Sequence, residues 1–523
     1  MAILTAPFAT SHGDEAALVD DAGSATWAEL DERVNRLVNG FRTAGLRAGD
    51  TIAVVLGNQR EWFEVALACT HGGWTYVPVN WHWVADELAY VLDDAAVAAV
   101  VVDARFLGPV AGALADERGS AVRSVVVVGE VGQLAADERT VAYEELIRAA
   151  DPSEPGDQLL GGPMFYTSGT TGRPKGVRGS LSGGGEATPE LMQLVAAGFA
   201  HFLPIPGRTL LCGPFYHSAQ WAFSFLPMLG GSSVVMQHRY DSAGVLELID
   251  GHRVTNVHLV PTQMKRLLDV PHEARERFDG SSLVAVWHGA APCPPTVKRG
   301  LIEWWGPKIT EYYGSTEGSI ISTVTSEEWL ERGGSVGKPM PTVEVIIVGD
   351  DGERVAPGAE GTLYFRNLMG TDFSYHNDPS KTDAAHLEPG VFTTGDVGYL
   401  DPDGYLWLSD RKIDMIISGG VNIYPAEIEG ALAAHPAVAD VAVIGVPDEE
   451  YGEQVRAVVE LADGVVADDA LFDELRAHCR SLLAGYKCPR SFDVVDAIPR
   501  TATGKIQKAP LRAPHWEGRE RRI

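Results

Sequence analysis

The chain has 523 residues, 45% hydrophobic and 22% charged, a length that calls for more than one domain and a composition typical of a globular protein. Its 42 basic residues against 71 acidic ones leave a net charge of −29; this argues against a duplex nucleic-acid partner and means that an anionic substrate needs a locally positive site. No stretch approaches the roughly 18 unbroken apolar residues of a membrane span, the opening residues with His12, Asp14 and Glu15 do not read as a basic-then-apolar leader, and the five cysteines (69, 212, 293, 479 and 488) show no CxxC spacing, so reduced thiols in a cytoplasm are expected rather than a disulfide framework or a zinc site.

The first half reads as alternating helices and strands. Thr26 and Glu29 have the spacing of a capping box, opening an amphipathic helix that runs to about residue 44 and is ended by Gly45. Residues 51–56 have the composition of a buried strand. Helices are predicted over 62–69 and 86–92, and strands over 75–79 and 97–102. Alternation at this spacing implies βαβ units with parallel sheets. No repeat of solenoid period occurs. The glycine-rich stretch 179–187 reads as a flexible loop. Turn-rich stretches at 356–361 and 401–404 suggest a small β-structured subdomain. Past Asp410 the pattern becomes α+β, with helices over 425–434 and 471–483 and strands over 438–446, 455–461 and 492–495.

The densest chemistry lies at Thr167-Ser168-Gly169-Thr170-Thr171-Gly172-Arg173-Pro174-Lys175-Gly176-Val177, with the apolar run 164–166 leading in as a strand. Glycines let backbone N–H groups turn toward a ligand. Threonines and a serine add short donors and Lys175 adds a charge, which is the chemistry that holds a polyphosphate. The common P-loop spacing is absent: Gly169 and Gly172 are too close together, and Pro174 keeps Arg173 out of the helical region. The phosphates would be held mainly by the loop's own groups. A Gly-Thr-rich turn by itself could be an ordinary polar hairpin; the eleven-residue order, with Lys175 after a proline, favours the phosphate loop.

This stretch resembles the phosphate loop of the adenylate-forming superfamily, which includes acyl-CoA synthetases, peptide-synthetase adenylation domains and luciferases. Other motifs of that family follow in the expected order: Tyr312-Tyr313-Gly314-Ser315-Thr316-Glu317, then Thr394-Gly395-Asp396, then Asp410-Arg411 with Ser418-Gly419-Gly420, then 499–505 ending in Gly504-Lys505. The resemblance covers essentially the whole chain. It implies an α/β fold with a large N-terminal domain of βαβ-type sheets plus a small β-subdomain (1–410), then a small mobile α+β C-terminal lid domain (411–523), with a hinge just after Asp410-Arg411. It also implies an AMP-forming carboxylate–CoA ligase that uses ATP, Mg²⁺ and coenzyme A.

A carboxylate does not react with a thiol at neutral pH because its leaving group is poor; conversion to an acyl adenylate supplies a good one, AMP. Attack on the α-phosphorus puts negative charge on phosphate oxygens, so catalysis is mostly positioning and charge neutralisation. By the resemblance, Thr167, Ser168, Gly169, Thr170, Thr171 and Lys175 hold the β- and γ-phosphates. Glu317 is the Mg²⁺ ligand, since that ion prefers carboxylate and phosphate oxygens, and Thr316 donates to the α-phosphate. Lys505 bridges the two reacting anions as a mobile point charge; its place in a glycine turn also leaves it open to acetylation, which would remove that charge. Gly289-Ala290-Ala291-Pro292 is small enough for a flat base to lie on its backbone, with Tyr313 stacked on the other face and Tyr312 and Gly314 beside it. Asp396 and Arg411 reach the ribose. Ser418-Gly419-Gly420 face a pantetheine tunnel once the lid has turned, and His217 matches an aromatic gate near the acyl carbon. Outside their motifs, Glu317 would read as a solvated carboxylate, Lys505 as an exposed turn, Tyr313 as a core tyrosine, Asp396 as an Asx turn and His217 as a hydrogen-bonded core histidine.

Two positions depart from the family pattern. Ile413 stands at the hinge, where lysine or aspartate is usual, and Val421 precedes Asn422 where a glutamate is common. Gly314 replaces a tryptophan of acetate-specific relatives, which predicts a larger acid: fatty, aryl or otherwise bulky. His217, Gln220, Trp221, Trp287, His288 and Gly314 are expected around its cavity, and Tyr312, in place of a glycine common in aryl-acid relatives, narrows or redirects it. Gln220-Trp221 stand where amino-acid-activating relatives carry an anchoring aspartate, so an amino-acid substrate is disfavoured. The expected partners are a small-molecule carboxylic acid and CoA, with no nucleic acid and no transmembrane segment; a homodimer is the assembly considered. Two other readings stay open. One is a stand-alone adenylating enzyme that delivers its acyl group to a carrier protein, an amine or another nucleophile; Gly419-Gly420 and the lack of a carrier segment after Ile523 favour CoA instead. The other is a non-catalytic nucleotide-binding regulator, against which stands the retention of Lys175, Glu317, Asp396, Arg411 and Lys505.

Overall fold

In the computed structural model the described residues are 4–167, 174–179, 198, 200, 202–349, 351–411, 414–418, 421–448, 451–483, 485–500 and 506–517. The capping box forms as the spacing requires. Thr26 accepts the Glu29 N–H, the Glu29 carboxylate accepts the Thr26 N–H, and the helix runs Trp27–Thr43. The helices Arg60–Gly72 and Ala85–Asp94 follow in order with the strands Thr51–Val55, Thr75–Pro78 and Val97–Asp103. These strands lie in a six-stranded parallel sheet. The strands Thr51–Val55 and Val97–Asp103 are buried along their whole length, because apolar clusters cover both faces of the sheet.

A nine-stranded sheet lies beside it. Its strands Ala16–Asp20, Ser233–Met236, Arg208–Leu211, Asn256–Leu259, Ala285–His288 and Ile309–Ser315 pair in parallel. The helix Ser218–Met228 is apolar on both sides. Trp221 and Phe225 enter the core shared with Trp62 and Phe215, while Phe223 packs with Trp287 and Tyr312. Parallel strands finish at one edge of a sheet, and in open α/β sheets ligands bind outside the carboxyl ends. Here that edge carries Leu259, His288 and Ser315.

The turn-rich region folds into an antiparallel sheet that includes Val343–Val348, Gly361–Asn367, Asp396–Leu400 and Leu406–Arg411. A three-stranded sheet joins Phe165–Thr167, Lys175–Arg178 and Ser374–Tyr375. The C-terminal part builds its own core around Val443, Ala457 and Leu475. It is formed by the strands Val438–Asp448 and Gly452–Leu461 and the helices Pro425–Ala433 and Asp469–Leu482. Lys265 reaches across to it and donates to the Ala439 carbonyl at 3.2 Å. Among the described residues no helix is long and apolar enough to cross a membrane. The stretch 180–187, read as a loop, and the hinge residue Ile413 lie outside the described residues.

Behind the carboxyl edge of the large sheet, Lys298 Nζ meets Glu311 Oε2 at 2.6 Å, with the two side chains 0% and 12% exposed. Burial pushes the Glu311 carboxyl up and the Lys298 ammonium down, each opposed by the other's charge. Deleting one partner strands a buried charge. Lys298→Met should therefore destabilise the protein by about 3 kcal/mol, and Lys298→Met/Glu311→Gln by clearly less. Urea denaturation followed by tryptophan fluorescence measures both, and equal losses would contradict the pairing argument.

Candidate active site

Three groups of side chains meet at this edge. The first is the base of the phosphate loop. The strands Phe165–Thr167 and Lys175–Arg178 form an antiparallel pair that sets Thr167 directly opposite Lys175. The intervening Ser168, Gly169, Thr170 and Thr171 lie outside the described residues. Lys175 Nζ sits 5.2 Å from the centre of the Tyr375 ring, and the Tyr375 hydroxyl donates to Glu317 Oε1 at 3.2 Å. Burial, then repulsion from Lys381, holds the Lys175 ammonium below its usual range, while Asp378 and Glu317 pull the other way. Thr316 Oγ1 shares a hydrogen bond of 3.0 Å with Ser218 Oγ, the first residue of the helix that His217 precedes.

The second group surrounds Asp396. Its Oδ2 accepts the Tyr313 hydroxyl at 2.5 Å and the Thr394 hydroxyl at 2.7 Å. Arg411 is its cross-strand partner in the backbone register; the Arg411 side chain lies outside the described part. The Tyr313 ring packs at 61° to Phe365, 6.0 Å away, so this tyrosine is tied into the antiparallel sheet. Gly289 follows the strand Ala285–His288. A Cβ there would stand 2.6 Å from the Tyr312 ring, so only glycine lets that ring lie against the turn. Ala290 next to it holds a left-handed φ of 71°, uncommon for a residue with a Cβ.

The third group is a polar chain under the aromatic cluster. Gln220 Nε2 donates to His258 Nδ1 at 2.8 Å, which leaves the His258 proton on Nε2, 3.0 Å from the Tyr312 oxygen. Burial lowers the His258 pKa to about 3, helped by His288, so the ring is neutral. The Phe223 ring lies 4.9 Å from His258, 5.3 Å from Trp287 and 5.5 Å from Tyr312.

A lysine-bearing hairpin, a carboxylate linked to it through one tyrosine, and a buried aspartate bonded to Tyr313 have the chemistry that a nucleotide requires. The AMP-binding enzyme family matches residues 6–370, and its C-terminal domain matches 427–505. The chain belongs to the AMP-binding enzyme family. It is 36% identical over 506 residues to a feruloyl-CoA synthase of Amycolatopsis sp, covering 95% of each chain. It is 33% identical over 502 residues to an indoleacetate–CoA ligase of Aromatoleum aromaticum, covering 93% of this chain and 92% of that one. The solved amide bond synthetase McbA from Marinactinospora thermotolerans superposes with a TM-score of 0.82 at 30% identity, over 98% of this chain and 99% of that one. This AMP-binding enzyme is an AMP-forming acid–thiol ligase.

Among the described residues, Thr167, Lys175, Thr316, Glu317, Tyr312, Tyr313, Asp396, Gly289 and Gln220 come to this edge, and three others differ from expectation. Trp221 turns away from Trp287. Its Nε1–H donates to the Tyr76 hydroxyl at 2.8 Å, and its ring packs on Phe165 and Phe225. His288 lies on the face opposite Trp287, because neighbours in a strand point to opposite sides. It is fully buried, 3.6 Å from Glu311, and burial and Lys298 keep it neutral. Gly314 has a backbone reason to be glycine whatever the acid: a Cβ would stand 2.1 Å from the Ser319 carbonyl oxygen. The sequence reading missed Phe223 and His258. The signal for Phe223 was its spacing, three residues beyond Gln220 and so on the same helix face; His258 carried none, being an isolated histidine in an apolar strand.

Ser418 closes a hairpin with Val421, and Gly419, Gly420 and Lys505 lie outside the described residues. ATP and Mg²⁺ fit the donors present. Among the described residues no three His, Cys, Asp or Glu side chains cluster as a metal centre, and Mg²⁺ is commonly held by one or two carboxylates plus substrate phosphates, so Glu317 with ATP suffices. Removing the Tyr313 hydroxyl should loosen Asp396. Tyr313→Phe is expected to raise the KM for ATP about fivefold with kcat little changed. Steady-state kinetics measures this, and a fall in kcat at constant KM would contradict the assignment.

Proposed function

We propose that the enzyme activates an aromatic carboxylic acid larger than acetate and transfers it to CoA in the cytoplasm. The observation carrying the choice of acid is the cluster Phe223, Trp287 and Tyr312 at the carboxyl edge of the sheet, whose flat walls suit a ring. The Gln220–His258–Tyr312 chain gives that space a polar side. Similarity to a feruloyl-CoA synthase and an indoleacetate–CoA ligase supports the same class.

In this reading a carboxylate oxygen attacks the α-phosphorus, and the bond to the bridging oxygen breaks with its electron pair leaving on pyrophosphate. The Thr167–Lys175 hairpin holds the phosphates, Glu317 holds Mg²⁺, and Asp396 with Arg411 holds the ribose. Mg²⁺, when bound, neutralises phosphate charge. Lys505 neutralises the two anions as they meet. The CoA thiolate then attacks the acyl carbon, the acyl–oxygen bond breaks, and AMP leaves. The domain boundary falls just after Arg411, and Ser418-Gly419-Gly420 line the thiol path. His217 precedes Ser218, whose hydroxyl meets Thr316, and gates the acyl carbon.

The test is pyrophosphate release with ATP and Mg²⁺ across aryl, fatty and short acids, with and without CoA, with products read by mass. Aryl acids should give acyl-CoA, and acetate should give little. The likeness to an amide bond synthetase favours a second reading, an amine acceptor; CoA-independent turnover with amide formed from added amines would establish it. Lys505→Ala should slow adenylation at least about 100-fold while slowing thioester formation from supplied acyl-adenylate far less. Equal losses in both steps would refute the role given to Lys505.

A further inference from the structure

A small polar cavity of about 110 Å³ opens beside the phosphate hairpin, with Lys175 on one wall and Lys381 on another. The wall that carries Lys381 is stitched to the hairpin. Val177 pairs with Tyr375, and the His376 N–H donates to the Gly176 carbonyl at 2.8 Å. His376 Nε2 and Asn377 Nδ2 both bond the Asp94 carbonyl, at 2.8 and 2.9 Å. Asn377 takes a left-handed φ of 54°, and Asp378 then caps the short helix Pro379–Ala385 by accepting the Lys381 N–H.

The acidic groups around this cavity are already engaged. The Asp94 carboxylate accepts the Tyr166 hydroxyl at 2.5 Å. Asp378 accepts from Lys381 Nζ at 2.7 Å, and that contact holds its carboxyl down to about 2, first through Lys381 itself. An ammonium has three donors, so Lys381 can keep Asp378 and still offer N–H groups to the cavity. Its side chain is 40% exposed and sits on a flexible stem able to follow a moving anion. Two cations that repel each other across one space are relieved when an anion lies between them.

Resting on the ligase reading above, we propose that Lys381 is a second phosphate-holding cation. With Lys175 it grips the pyrophosphate end of ATP and retains the leaving group. When the carboxylate oxygen–phosphorus bond forms and the α-phosphorus–bridging oxygen bond breaks, the electron pair stays on the bridging oxygen. The new charge therefore appears on the pyrophosphate, and no proton has to move.

Calorimetric titration of magnesium pyrophosphate into the full-length enzyme tests this without any acid, so it stands apart from the substrate question. Lys381→Met should weaken pyrophosphate about tenfold. Asp378→Asn/Lys381→Met, which keeps the local net charge and the helix cap, should weaken it equally. Lys381→Arg should restore most of the affinity, and AMP, which lacks the outer phosphates, should bind all forms alike. The proposal is overturned by unchanged pyrophosphate affinity in Lys381→Met, by no binding to the wild type, by recovery in the double variant, or by a matching loss for AMP. Failure of every acid in the turnover assay would instead sink the ligase reading and leave this titration interpretable.

Discussion

The alternation of side chains along the single strand Ile309–Ser315 organises the site. Glu311 points back into the protein, where Lys298 holds it. Tyr312 points the other way, over Gly289 and toward His258. Tyr313 reaches the antiparallel sheet through Asp396. Three consecutive residues thus reach the Lys298 anchor, the Phe223–Trp287 cluster and the antiparallel sheet. The strand then ends and delivers Thr316 and Glu317 beside the phosphate hairpin. A one-residue slip in its pairing with Ala285–His288 would exchange the faces of Glu311 and Tyr312 at once.

Electrostatics explains the rest of the layout. The reaction brings a carboxylate to a polyphosphate inside a chain of net charge −29. Such a chain cannot rely on a general positive field and must place a few cations where anions gather. Lys175 is one such cation, and it stands on a strand locked in register opposite Thr167. Tyr375 sits between Lys175 and Glu317, with its ring toward the ammonium and its hydroxyl on the carboxylate, and so keeps the two from collapsing onto each other.

Much of the fold was legible because its causes are local. The capping box at Thr26, the valine runs and the helix–strand alternation each act within a few residues, and the helix Trp27–Thr43 formed as its cap required. The phosphate-loop expectation has the same local character, since glycines, hydroxyls and Lys175 are adjacent in sequence, but its residues 168–173 lie outside the described residues. The acyl side resisted because phase and distance decide it. Gln220 and Trp221 are neighbours in sequence yet serve opposite faces of one helix. His288 follows Trp287 but looks into a different layer. His258 gains meaning only when Gln220 and Tyr312 come to it from other elements. Gly314 carries a second constraint that sequence does not reveal: a Cβ there would meet the Ser319 carbonyl, so the backbone also calls for glycine.

The sealed Lys298–Glu311 pair also bears on behaviour under heat. Desolvating ions becomes less costly as temperature rises, because the hydration of charge loses strength on warming, whereas apolar burial gains little more per unit area. The anchor behind the nucleotide edge is thus relatively better suited to warmth than the apolar layers around it. The strand that carries Tyr312 and Tyr313 therefore has, in Glu311, one attachment whose desolvation cost falls as temperature rises.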